Sequence, residues 1–154
     1  MLKISKVVAL LVISFIIFSQ SNLAFASNAN NACSVFENLW SSNVTELKYI
    51  KDDFVTNSKV YRGKMHELNI LALVDNGNYR VKAFSASGYV SDSSSIVEYI
   101  SKRFNSKYQK NHNQLSKSED YWWILNNNTA VTLSIYEDGQ IILALNLTTL
   151  SNVR

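Results

Sequence analysis

Three residue types in this 154-residue chain have the chemistry for catalysis: Cys33, the two histidines His66 and His112, and three adjacent acidic pairs. A thiol nucleophile needs a base beside it and an orienting group behind the base. Cys33 has no nucleophile signature around it, and neither histidine belongs to a recognisable base–orienter pattern in sequence. A metal site needs several ligands at fixed spacing, and His66-Glu67 alone does not supply them. Asp52-Asp53, Glu119-Asp120 and Glu137-Asp138 are neighbours, and neighbours on a strand point to opposite faces. They therefore read as solvated turns rather than a facing carboxylate dyad. Four glycines spread over the chain make no phosphate loop. The expectation is a protein without catalysis, metal or cofactor.

The remaining chemistry is aromatic. Three tryptophans and eight tyrosines lie in the chain, and Tyr121-Trp122-Trp123 stands close to Asn126-Asn127-Asn128. On a strand, Trp122 and Trp123 face opposite sides, so one belongs to a core and the other to the surface. An exposed ring beside amide side chains is what a sugar site uses, with the ring on the sugar face and the amides on its hydroxyls. Burial of both rings is the competing reading.

The elements that would hold these residues follow from pattern. Cys33–Ser42 carries Val35, Phe36, Leu39 and Trp40 at helical spacing and predicts a short helix. Strands are expected from Val44 to Val55, over 59–64 and over 67–74. Asp75-Asn76-Gly77-Asn78 predicts a hairpin, because Asn-Gly readily takes positive φ. Tyr79–Ser85 alternates as a half-buried strand, and Ser85–Ser94 reads as a Ser/Gly loop. Ser95–Tyr108 predicts the long helix, with a Ser95–Glu98 capping box. Gln109–Glu119 reads as a loop. Strands over 120–125, 130–136 and 141–149, separated by turns at 126–128 and 137–140, close the chain. No repeat is visible. The expected class is α+β, mainly β, built on antiparallel hairpins.

Length and charge bound the rest. One domain fits this length. Residues 1–26 have the parts of a secretory signal: Lys3 and Lys6, the apolar block Val7–Phe18, and Ala24-Phe25-Ala26 as a cleavage site. The block is too short for a membrane span, and the residues before Cys33 do not form a lipidation site. The expected mature domain is 27–154, exported through a periplasm and secreted. It would carry thirteen basic and twelve acidic residues, a net charge of +1. No basic run exceeds two residues, which disfavours nucleic acid as a partner. A lone cysteine excludes an internal disulfide scaffold.

Taken together, Ala32-Cys33-Ser34, Arg62-Gly63-Lys64-Met65-His66-Glu67-Leu68, Asp75-Asn76-Gly77-Asn78-Tyr79-Arg80-Val81-Lys82, the helix from Ser95, and Trp123-Ile124-Leu125-Asn126-Asn127-Asn128-Thr129 resemble, in order and spacing over about residues 33–136, the B subunits of the cholera toxin and heat-labile enterotoxin family. The resemblance implies an oligomer-binding-fold-like antiparallel barrel with a short N-terminal helix and one long helix. It further implies a ring of five, host cell-surface glycolipid or glycoprotein sugar as ligand, and a separate enzymatic A subunit as partner. On it, Asn127 falls on the family's sugar-binding Asn and Gly63 on the Gly that contacts a neighbour's sugar. The candidate sugar ligands are thus Trp122, Trp123, Asn126, Asn127, Asn128, Gly63 and Tyr89. Several positions depart from the family. Leu125 stands at its Trp, Asn128 at its Lys and a residue near Ala83 at its Glu, while Cys33 lacks the family's disulfide partner. A hairpin, Glu137–Thr149, extends past the family's end. The rival expectation is an exported inhibitor or immunity protein that binds an enzyme.

Overall fold

A computed structural model describes residues 27–126 and 129–147, with the side chain of Leu147 outside the description. The proposed leader and Asn127-Asn128 also lie outside the described residues. The chain runs β1 (Ser27–Asn28), α1 (Ala29–Trp40), β2 (Lys48–Asp53), β3 (Ser58–Met65), β4 (Leu68–Asp75), β5 (Val81–Ser91), α2 (Ser94–Phe104), β6 (Gln109–Asn113), β7 (Ser118–Asn126), β8 (Thr129–Tyr136) and β9 (Gln140–Leu147). It is an α+β domain, mainly antiparallel sheet with two helices.

The sheet has the order β2-β3-β4-β5-β9-β8-β7-β6, and β1 adds a short parallel pairing to β5. β2 and β6 end this path, so the sheet stays open among the described residues. The barrel part of the expectation is therefore not what the strands form. The order is also palindromic. Each half is a helix followed by a four-strand meander, and the last strands of the two halves, β5 and β9, pair antiparallel at the centre from Phe84↔Leu145 to Tyr89↔Gln140. Tyr61 and Tyr121 occupy equivalent places on the second strand of each meander, opposite Ala72 and Leu133. The sequence shows no repeat because only the pattern of faces is kept, not residue identity.

Both helices lie over one face of the sheet. Strand alternation puts Leu68, Ile70, Ala72 and Val74 of β4 inward, and likewise Ile141, Leu143 and Leu145 of β9. Phe36 and Leu39 of α1 and Ile96 and Ile100 of α2 cover them and are fully buried. The helices join through aromatic contacts, Phe36–Phe104 at 6.0 Å and Trp40–Phe104 at 5.0 Å between ring centres. Glu37 ties the same seam, accepting from the Tyr99 hydroxyl at 2.7 Å and from Arg103 Nε at 2.9 Å.

Several boundaries differ from the sequence reading, each for a local reason. The first helix begins at Ala29, four residues early, because the Asn28 side chain caps it by accepting the Asn31 N–H at 2.8 Å. The second ends at Phe104 because Asn105 turns left-handed at φ 46°. Its expected capping box is absent. The Ser94 and Ser95 hydroxyls donate instead to the Asp92 carboxylate. Ser85–Ser94 is not a loop: β5 continues to Ser91, with Ala86 and Val90 buried on the core side. Gln109–Glu119 is also not a loop throughout, since β6 and the start of β7 form a polar hairpin. The Asn-Gly turn is present, but its positive φ belongs to Tyr79 at 57°. The Asp75 carboxylate sets that turn by accepting the N–H groups of Gly77 and Asn78.

Candidate functional site

A groove of about 450 Å³ lies between α2 and the β6–β7 edge, lined by Ser94, Val97, Glu98, Ser101, Tyr108 and Tyr121. The helix supplies four of these on one side because 94, 97, 98 and 101 recur at the i, i+3, i+4 spacing of a single face. Asn105 then breaks the helix, and the chain returns toward the sheet, carrying Tyr108 across the groove. Tyr108 meets Tyr121 edge-on at 5.2 Å and Trp123 at 6.0 Å, yet keeps 44% of its surface exposed. Trp123 lies behind the lining, fully buried, and its Nε1 donates to Ser101 Oγ at 3.0 Å.

A charged cluster continues this wall along β6 and β7. Lys110 Nζ stands 5.2 Å from the Tyr121 ring centre and 2.8 Å from Glu119 Oε2. The second oxygen of Glu119 lies 2.8 Å from His112 Nδ1. The cross-strand register His112↔Glu119 supplies the acidic neighbour that adjacency in sequence did not. Bonds from Lys110 first, then from His112, hold the Glu119 carboxyl below its ordinary range. The same Glu119 contact raises the Lys110 ammonium.

Of the sequence-predicted ligands, Trp123 lies behind this groove, fully buried, and does not line it or present a ring to a sugar. That corrects its expected role, because inward alternation on β7 puts it under α2. Trp122 faces the helix-free side, where its Nε1 donates to Gln109 Oε1 at 2.5 Å across the Gln109↔Trp122 pair. Tyr89 shares that side and is 42% exposed. The row of Trp122 passes through Thr132 and Ala144 to Ser85, so Tyr89 is three strands away and four residues along. That is roughly 14 Å across and 13 Å along the sheet. Asn126 is exposed at the far end of β7, opposite Thr129. Gly63 is on the helix-side face of β3, where a Cβ would come 3.0 Å from Leu47 Cδ2. These residues do not converge within one chain. Asn127 and Asn128 are outside the described residues.

Tyr108, Glu98 and Ser101 were not among the predicted ligands. The available signal was Asn105, a residue that often ends helices and would have freed Tyr108 from the helix face.

Cys33 is buried in α1. Burial foremost, then the Glu37 charge, pushes its thiol up to about 11. That suppresses the thiolate form a nucleophile needs. Among the described residues no group of three His, Cys, Asp or Glu could hold a metal ion, and no helix is long and apolar enough to cross a membrane.

Comparison of the chain with protein-family models, with curated proteins and with solved structures returns no match.

Proposed function

We propose that this protein is an exported, non-catalytic binding protein that recognises a sugar through the groove between α2 and the β6–β7 edge. The observation that carries the reading is Tyr108, an exposed ring fixed edge-on against Tyr121 beside the Glu98 carboxylate and the Ser94 and Ser101 hydroxyls. A held ring gives a stacking platform at little entropic cost, and the Glu98 carboxylate is a directional acceptor for sugar hydroxyls; Ser94 and Ser101 already donate to Asp92 and to the Val97 carbonyl, so they offer only their remaining lone pairs. The Tyr108–Tyr121 wall takes the role that the sequence reading gave to the tandem tryptophans. The family resemblance adds a form to this function: a receptor-binding subunit that gains about 10²–10⁴ in avidity by assembly and delivers an A subunit.

A printed array of cell-surface glycans, probed with the purified protein, tests the reading. Tyr108→Ala should remove binding to any glycan the wild type holds, and Glu98→Gln should weaken it about tenfold. An array without binding, or Tyr108→Ala binding like wild type, overturns it.

One observation favours the inhibitor reading instead. Phe54 is 91% exposed, and Val55 and Tyr79 project nearby from two turns braced together. Asn76 Nδ2 bonds Asn57 Oδ1 at 3.2 Å, and Lys82 Nζ bonds the Thr56 carbonyl at 3.0 Å. A rigid knob of aromatic anchors suits insertion into a partner's cleft. On that reading Phe54→Asp abolishes inhibition of the partner enzyme, while Tyr108→Ala leaves it intact.

A further inference from the structure

We propose that the helix-free face of the sheet is a self-association surface, packed on the same face of a second copy about a two-fold axis parallel to the strands. The proposal does not rest on the sugar reading. Two rows of paired residues cross this face from β3 to β7. One is Arg62–Leu71–Ser85–Ala144–Thr132–Trp122. The other lies two residues along every strand, and so on the same face: Lys64–Asn69–Ser87–Ile142–Ser134–Asp120. The central strands β4, β5, β9 and β8 put no charge into either row. They supply half-buried Leu71 and Ile142 among Ser, Thr, Ala and Asn. Charge is confined to the flanks, basic on β3 and acidic on β7. An uncharged centre with a charged rim is the composition of an interface. Six strands at about 4.8 Å and six residues at about 3.3 Å give roughly 600 Å² per copy. Two copies then bury roughly 1,200 Å², the lower end for a specific contact.

The palindromic strand order and the flanking charges say how the copies meet. An axis along the strands between β5 and β9 lays β5 on β9 of the second copy, β4 on β8 and β3 on β7. Lys64 and Asp120 share one row, so Lys64 faces Asp120 of the second copy, and the two-fold repeats the pair on the other flank. Arg62 and Trp122 share the other row, so the guanidinium comes over the indole of the second copy. Near the axis Ile142 meets Ser87, and Leu71 meets Thr132, large against small. An axis across the strands would lay β3 on β3 and set Lys64 against Arg62, like charge on like. Face-to-face sheets keep their strands within about 30° of each other, as the first axis does. Within its own chain Lys64 has a 4.0 Å contact with Glu67, long and exposed, which leaves its charge available. The bulge in β2 lies outside these strands, and the shifts at Leu73/Val74 and Ile124/Asn126 lie beyond both rows. A two-fold contact uses one patch twice and closes. The groove beside α2 is on the other face and stays open in this dimer.

Light scattering after gel filtration, together with a zero-length carbodiimide cross-link, tests the proposal. The wild type should have the mass of two chains, and its digest should contain an amide joining Lys64 Nζ to the Asp120 carboxyl. Within one chain these residues stand five strand spacings apart, about 24 Å, so that amide joins two chains. Ile142→Lys places an unpartnered charge beside the axis and should give the mass of one chain. Lys64→Asp and Asp120→Lys should each shift toward one chain. Mixed one to one, these two should recover the two-chain mass, because every Asp then faces a Lys. Circular dichroism melts check that each variant is folded, which matters because Ser118 Oγ donates to Asp120. A monomeric wild type, a five-chain mass, a two-chain species without the Lys64–Asp120 amide, a folded Ile142→Lys of wild-type mass, or a mixture that stays monomeric overturns it.

Discussion

The indole Nε1 of Trp123 donates to Ser101 Oγ at 3.0 Å, and this bond fastens the middle of α2 to β7. Trp123 has no exposed surface, so its ring is the largest single contribution of β7 to the core. Trp123→Ala should cost about 3–5 kcal/mol, the range for deleting a buried aromatic. Ser101→Ala leaves the indole N–H without this partner and should cost about 1 kcal/mol, at the low end because Ser101 lines an open groove. In a Trp123→Phe background the cost of Ser101→Ala should shrink, since no N–H remains to be orphaned. Urea unfolding of the four proteins measures this coupling.

A second prediction concerns pH. Lys82 Nζ is 2.6 Å from Asp75 Oδ2. The Lys82 bond foremost, then the N–H groups of Asn78 and Gly77, hold the Asp75 carboxyl below its ordinary range. A carboxyl depressed in the folded state stabilises the protein above its unfolded value of about 4. That contribution is lost as pH falls through the lower folded value. Asp75→Asn keeps an oxygen for the turn but removes the charge. The variant should therefore be less stable than wild type at pH 7, and the gap should narrow as pH falls from about 4 to 2. Thermal melts across that series give the answer, and a gap that stays constant refutes the assignment.

What the sequence made legible was the alternation. β4 was readable because every second residue is buried, and α2 was readable from Ile96 and Ile100. What it hid depended on composition masking pattern. Serine and glycine in β5 disguised the inward Ala86 and Val90, and β6 had no burial to impose a period. The aromatic cluster drew attention to the right stretch of chain. The residue that faces the groove, however, is Tyr108, which the helix pattern absorbed. Cross-strand pairs such as His112 and Glu119 depend on register, and register was not visible in the chain.

Cys33 gives a third prediction. With its thiol raised to about 11, the thiolate share at pH 7.5 is on the order of one part in a thousand or less. A thiol reagent should react slowly with the native protein and at an ordinary rate in denaturant. Cys33→Ala should cost only about 1 kcal/mol, as for a small core residue. Fast native labelling would show that α1 opens far more readily than its packing implies.

The glycines separate packing from ligand contact. A Cβ on Gly88 would come 2.8 Å from Leu68 Cδ2, and one on Gly63 would come 3.0 Å from Leu47 Cδ2. Neither has positive φ, so the cost of alanine at either place is a steric one. Leu68 is fully buried and cannot move outward, whereas Leu47 lies nearer the edge and retains some exposure. Gly88→Ala should therefore cost about 1–3 kcal/mol, and Gly63→Ala less, because its neighbour yields more easily. If Gly63 were instead a sugar contact reached from a neighbouring chain, alanine there would weaken glycan binding and leave the melting temperature unmoved. Melting both variants and repeating the glycan array decides between these roles. The packing shown here predicts lower melting temperatures for both, in the order Gly88→Ala below Gly63→Ala below wild type, with glycan binding retained.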